Sequence, residues 1–220
     1  MEPIKAVSPT ESGINSRLRY GAASSFTRKK GWQITFYVRM TMEQRRLNLY
    51  LIDIKYIRNL AKEDDHVMSV SPQIAKETRP FVGIVIVCGE QKYCVPLSSP
   101  KAKHQSMKND VDFTKILDGE KLIGVLNFNN MIPVDESCIA PLNLRIAGKD
   151  DAATRNYKKM AAKQLDWCQY NQDAIIKKAN KLYVMMQSDK ASGFLKRRCC
   201  DFKRLETVLQ RWLQNSNDRK

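Results

Sequence analysis

The chain has 220 residues, a net charge of +15 and a pI near 9.6. It has no run of about 18 apolar residues, which excludes an apolar membrane-spanning helix, and its opening MEPIKAVSPTESG lacks the apolar stretch of a secretory signal. Six cysteines without a C-x-x-C pair, beside only two histidines, argue against a zinc site, so reduced thiols in a cytoplasmic protein are expected. Hydrophobic residues make up 43% and charged residues 28%, the balance of a globular domain. A surface this basic suits a polyphosphate backbone, although a membrane surface or an acidic protein attracts it too.

Residues 1–46 differ from the rest. They hold nine basic and three acidic residues, many Ser, Thr and Gly, and one strong apolar run, Trp32 to Val38. Two readings fit: a basic arm that binds RNA, or a start site set too far upstream, with translation beginning at Met40 or Met42. The second is preferred, and 47–220 is read as a single domain. Leu47 to Ile54, LNLYLIDI, alternates as a strand does, and Tyr56 to Lys62 suits a short helix. Asp64 to Thr78 is polar and reads as a loop. Phe81 to Val87, FVGIVIV, is a β-branched buried strand; Gly89-Glu90 turns it back into Gln91 to Leu97. A polar, basic loop running into a helical turn follows, then strands at Leu122 to Phe128 and Met131 to Val134. From Thr154 to Gln187 the period becomes helical, with Tyr157, Met160, Ala161, Leu165 and Cys168 on one face and a bend near Asn171-Gln172. Asp201 to Leu213 is a last amphipathic helix with Phe202, Leu205, Leu209 and Trp212 at helical spacing. Strands first and helices last give an α+β fold on a largely antiparallel sheet.

Several chemistries find no support. There is no phosphate-binding glycine loop, no H-E-x-x-H and no G-x-S-x-G. The acidic groups Glu63, Asp64, Asp65 and Asp150, Asp151 sit in loop-like, solvated positions, so no metal site is expected. What stands out is Ser98, Ser99, Pro100, Lys101, Ala102, Lys103 and His104, directly after a predicted strand. Hydroxyls, two ammonium groups and an imidazole suit RNA cleavage by side chains alone. That reaction must deprotonate a 2′-hydroxyl, stabilise a phosphorane and protonate a leaving 5′-oxygen. A basic Ser/Pro/Lys loop is also a common solvated turn, so the motif alone does not decide.

The order LIDIKYIRNL, ETRPFVGIVIV, KYCVPLSSPKAKH, GVLNFNNMIPV and YKKMAAKQLDW resembles the ToxN/AbiQ family, the toxins of type III toxin–antitoxin and abortive-infection systems. The resemblance runs from about Leu49 through the C-terminal helices. It implies a compact, twisted antiparallel sheet with flanking helices, similar to the MazF/Kid toxins, and a helical C-terminal part. It implies an endoribonuclease that needs no cofactor and leaves 2′,3′-cyclic phosphate and 5′-hydroxyl ends. The implied partners are cellular or phage RNA and an RNA antitoxin of tandem pseudoknot repeats, in assemblies of two or three copies of each component. A repeat array upstream of the gene would also account for an N-terminal extension without family counterpart.

Carried over residue by residue, the resemblance places Ser99 and Lys101 on the family's active-site Ser and Lys, Tyr56 on a Tyr after the first strand, and Arg79 on a basic position before the second. These four form the expected catalytic set, with Lys101 on the scissile phosphate and Ser99 positioning it. Lys103, His104, Tyr157, Lys158 and Lys163 are expected to bind RNA, with Lys159, Lys177 and Lys178 as further groove candidates, and each of the helical lysines fits a solvated helix face equally well. His104 is either a general acid or a structural cap, and Tyr56 either a proton donor or stacking ring or a core residue. The chain departs from the family in one respect: some members place a second Tyr before the basic position, whereas Ala75 and Lys76 stand there in this sequence. The rival from another class is a basic RNA-binding module without catalysis.

Overall fold

Asp53 decides where the first strand ends. Its amide donates to the Cys138 carbonyl at 2.9 Å, while its carboxylate accepts the amides of Lys55 at 2.6 Å and Tyr56 at 3.3 Å. That cap turns β1 (Leu49–Ile52) into α1 (Ile54–Ala61), whose Tyr56, Ile57 and Leu60 lie on the buried side. The computed structural model describes residues 46–68, 82–188 and 191–217, all within one unit spanning Gln44–Lys220. Residues 1–45 of the expected extension 1–46, and the stretch 69–81 that includes Arg79, lie outside the described residues.

The β-branched run forms β2 (Val82–Cys88), and a two-residue loop returns it as β3 (Gln91–Ser98). Gly89 occupies that loop at φ 62°, a left-handed backbone that costs glycine nothing. Strand β3 is the spine of the sheet. It pairs with β2 from Gln91 to Pro96, with β6 (Ile132–Pro133) at Tyr93 and Cys94, and with β5 (Lys121–Asn127) at Leu97 and Ser98. Pro96, with no N–H to give to a ladder, stands between the contacts to β6 and β5. The β2–β3 crossing is tight: a Cβ on Gly83 would lie 2.4 Å from both the Cys94 Sγ and the Val95 carbonyl oxygen.

Residues after β3 form the short helix α2 (Ala102–Ser106) and then β4 (Phe113–Asp118), a strand beyond those expected from the sequence. It pairs with β5 around Gly119. A further strand, β7 (Ile139–Pro141), pairs with β1, and the sheet order is β4-β5-β3-β2-β1-β7 with β6 beside β3. Every pairing is antiparallel, so the α+β expectation with flanking helices describes the molecule.

Asn171 divides the expected long helical stretch into α3 (Ala152–Tyr170) and α4 (Gln172–Gln187). The short α5 (Gly193–Lys196) and the final α6 (Phe202–Asn217) follow. Helix α3 packs on β4 and β5, α4 on β2, and α6 on β6 and α1. The expected inner face of α3 needs correction. Ala161, Gln164 and Cys168 are buried, whereas Tyr157 and Met160 are 45% and 37% exposed. Gln164 is accepted inside because its Nε2 donates to the Ile123 carbonyl at 2.7 Å. On α6 the expected stripe does face inward: Phe202, Leu205 and Leu209 are buried, joined by Val208, with Trp212 packed at the edge of the core. All six cysteines are unbridged and buried, and burial raises every thiol, Cys138 to about 11. None is a ready nucleophile.

Candidate active site

The site begins where β3 leaves the sheet. Ser98 makes the last ladder contact, opposite Val125, and its hydroxyl accepts from Asn127 Nδ2 at 3.0 Å. Asn127 is the diagonal neighbour across the β3–β5 pair, within reach of a side-chain bond. Beyond it, Ser99 and Pro100 are exposed. A residue before proline is pushed toward extended backbone, so the Ser99 hydroxyl is carried off the strand end into solvent.

Lys101 follows with extended backbone (φ −125°, ψ 158°) and serves as the N-cap of α2. A lysine cannot accept a hydrogen bond, so the usual side-chain cap is impossible here. Instead the Lys101 amide donates to His104 Nδ1 at 3.2 Å, and the His104 amide donates back to the Lys101 carbonyl at 2.9 Å. His104 thus occupies the place Glu or Gln takes in a capping box. Its ring is buried, 5.6 Å from that of Phe113. Phe113, Leu122 and Val125, with Met107 against them, make a small apolar cluster beneath the loop. Lys115 adds two ties: its amide donates to Asn109 Oδ1 at 2.8 Å and its ammonium to the Gln105 carbonyl at 2.7 Å.

The start of β4 is braced from behind. Lys178 of α4 donates to Thr114 Oγ1 at 2.6 Å and to the carbonyls of Asp110 and Phe113 at 2.9 and 3.3 Å. Burial holds its pKa below the usual lysine range, against the opposing pull of Asp110 and Asp112. The buried Asp112 carboxylate lies 2.9 Å from Arg198. Lys178 therefore belongs to the frame of the loop rather than to an open groove.

The surface in front of this frame has a different charge state. Ser99, Lys101 and Lys103 are exposed, and among the described residues none of their side chains has a hydrogen-bond acceptor or carboxylate partner. Two ammonium groups and a hydroxyl are left open to an anion. His104 beside them is held below the usual imidazole pKa, by burial first and then by Lys103 and Lys101.

The other expected site residues lie elsewhere. Tyr56 is fully buried, its hydroxyl donates to the Pro133 carbonyl at 2.8 Å, and its ring lies 5.4 Å from that of Trp212. Burial pushes the phenol far above its ordinary value. The structure thus gives Tyr56 the core position, where a proton donor or stacking ring for RNA has no surface to work from. Tyr157 is half-exposed on α3. Lys158 is held by Asp150 at 2.7 Å and by the Arg145 carbonyl at 2.8 Å, and Lys163 pairs with Asp118. Asn127 and Thr114, which the sequence reading did not single out, are among the supports of the loop.

Asp64, Asp65 and His66 bring possible ligand atoms within 4.8 Å of one another. Most of these atoms already have partners: Asp64 accepts from the amides of His66 at 2.9 Å and Asp201 at 2.6 Å, and His66 Nε2 lies 2.8 Å from the Arg197 carbonyl. Burial works against the charged imidazole, but hydrogen bonds to Asp64 and to that carbonyl outweigh it and raise the His66 pKa. The cluster is a clasp between the end of α1 and the start of α6.

A family model described as toxin ToxN of type III toxin–antitoxin systems matches residues 48–210. The chain belongs to the ToxN family. Endoribonuclease ToxN of Pectobacterium atrosepticum is 30% identical over 164 residues, covering 73% of this chain and 90% of that protein. Endoribonuclease ToxN of Bacillus thuringiensis subsp. kurstaki is 32% identical over 168 residues, covering 74% and 82%. A solved structure concerned with selective toxin inhibition by a non-coding RNA pseudoknot has a TM-score of 0.62 at 30% identity, covering 76% of this chain and 98% of its own. The ToxN match includes the whole strand-end loop and its supports, and begins just ahead of β1.

Among the described residues no helix is long and apolar enough to cross a membrane.

Proposed function

We propose that this ToxN-family chain is an endoribonuclease toxin whose chemistry takes place at the end of β3. The observation that carries the reading is the open cluster of the Ser99 hydroxyl with Lys101 and Lys103, two cations without acidic partners among the described residues, on a chain of net charge +15. The 2′-hydroxyl of a bound ribose gives up its proton to solvent as its oxygen attacks the adjacent phosphorus, and the bond to the 5′-oxygen of the next nucleotide breaks, that oxygen taking a proton from solvent. Lys101 stabilises the extra negative charge of the phosphorane. Ser99 donates to the phosphate or 2′-hydroxyl, and Lys103 holds a flanking phosphate. The products are a 2′,3′-cyclic phosphate and a 5′-hydroxyl that has taken up a proton. Tyr157, half-exposed on α3, offers a ring for a base. An RNA antitoxin of pseudoknot repeats binds the same basic surface and keeps the enzyme inactive until phage infection.

Lys101→Ala tests the reading. The ammonium is exposed and has no partner among the described residues, so the variant keeps its melting temperature. Cleavage of a labelled RNA falls by about 10²–10³, while RNA binding weakens only modestly. Undiminished cleavage would remove Lys101 from the mechanism. A wild-type chain that binds RNA but never cuts it would instead be a non-catalytic binding module.

A further inference from the structure

We propose that His104 is a positioning residue: its neutral imidazole, with the proton on Nε2, holds the Lys101 backbone in its working geometry, and protonation of His104 releases Lys101 and switches cleavage off at acid pH. The proposal rests on the reading of Lys101 as the phosphate-binding group. It follows from one bond. The Lys101 amide donates to His104 Nδ1 at 3.2 Å, so that nitrogen presents its lone pair and the neutral ring carries its proton on Nε2. A proton added at Nδ1 sets donor against donor and breaks the side-chain bond that, among the described residues, fixes the cap. The His104 amide still reaches the Lys101 carbonyl, but the return bond is gone and Lys101 is free to leave the extended conformation.

The surroundings favour the neutral form and leave the ring little room to escape. His104 is 5% exposed and its ring lies against Phe113 of β4. The charged groups acting on it are Lys103 and Lys101 of its own loop, both repulsive to an imidazolium. The charged residues of β4 are Lys115, whose ammonium donates to the Gln105 carbonyl, and Asp118, which pairs with Lys163. No carboxylate among the described residues acts on the ring, and its pKa is held below the usual value. A general acid would need the opposite setting, a charged imidazole open to the leaving oxygen.

Three full-length chains decide the matter: wild type, His104→Ala and His104→Asn. The amide oxygen of Asn stands near the place of Nδ1 and accepts the same hydrogen bond, yet does not titrate at these pH values. His104→Ala loses kcat about fivefold to tenfold at neutral pH, the worth of one such bond, with KM for RNA nearly held. His104→Asn restores most of that loss. The wild-type rate falls on an acid limb that is missing in His104→Asn. Imidazole ¹⁵N shifts of the RNA-free protein show Nδ1 unprotonated at neutral pH, and the Lys101 amide shift follows the His104 titration. The proposal is overturned by an acid limb unchanged in His104→Asn, or by a folded His104→Asn without activity, which would make the imidazole itself the proton donor. Wild-type kcat in His104→Ala, or a proton found on Nδ1, overturns it equally. If no RNA is cleaved by any of the three, the function reading fails, and the ¹⁵N and amide shifts still decide the cap.

Discussion

Lys101 and Lys158 show how little a lysine's place in the sequence says about its task. Both stand in basic stretches, and both are candidates for contact with RNA. Lys158 is drawn into a partly buried bond with Asp150, so its charge is already answered. Lys101 is exposed, with no partner among the described residues. Tyr56 carries the same lesson for an aromatic residue. Following the first strand, it is equally suited to RNA contact or to the core, and in the structure it lies in the core with its hydroxyl on the Pro133 carbonyl. Tyr56→Phe leaves that carbonyl without its donor inside the core, which costs about 1–3 kcal/mol. The expected outcome is a lower melting temperature with RNA cleavage per folded molecule close to wild type. A fall in turnover with the melting temperature held would return Tyr56 to the catalytic set.

At the scale of elements, the β2–β3 hairpin was legible because its signals are local and continuous. FVGIVIV is long, β-branched and bounded, and Gly89 marks the turn. The same hairpin has one intolerant position. Gly83→Ala would set a Cβ 2.4 Å from the Val95 carbonyl oxygen, and a backbone atom in the central strand has nowhere to go. The expected cost is about 3 kcal/mol, read as a melting temperature lower by roughly 10 °C. A variant that melts with the wild type would show that the two strands separate more easily than their register suggests. Strand β4 escaped the sequence reading because Phe113–Asp118 is short and mixes polar with apolar residues. Its alternation is also broken by the irregularity between Ile116 and Leu117, which leaves Leu117 on the surface. The inner face of α3 was half legible. Tyr157 and Met160 fit the apolar period, but Gln164 takes the inward place because the Ile123 carbonyl needs a donor there. The candidate site divides in the same way. Ser99, Lys101 and His104 are contiguous and could be read off the chain. Asn127 and Lys178 reach the loop only through the β3–β5 pairing and the passage of α4 behind β4, which no local pattern announces.

For the whole molecule, residues 1–47 fall outside the family match, while the described fold begins at Arg46. The first 46 residues carry +6 of the net +15, so the remainder keeps a strongly positive surface without them. A chain begun at Met42 is therefore expected to fold, to cleave RNA at a rate close to that of the full chain, and to arrest growth unless its RNA antitoxin is supplied. Loss of cleavage on this truncation would make the basic segment a working arm.

The order in which the loop and its frame occur along the chain has a consequence in time. The reactive cluster is complete by Lys103, but Ser98 waits for Asn127, the start of β4 for Lys178, and Asp112 for Arg198. At a synthesis rate of about 5–20 residues per second, about 95 residues separate Lys103 from Arg198, a delay of roughly 5–20 s. During that interval a half-made chain on the ribosome holds the chemical groups without the scaffold that aims them. On the proposed reading, the cluster is fully framed only once Arg198 and the last helices have emerged.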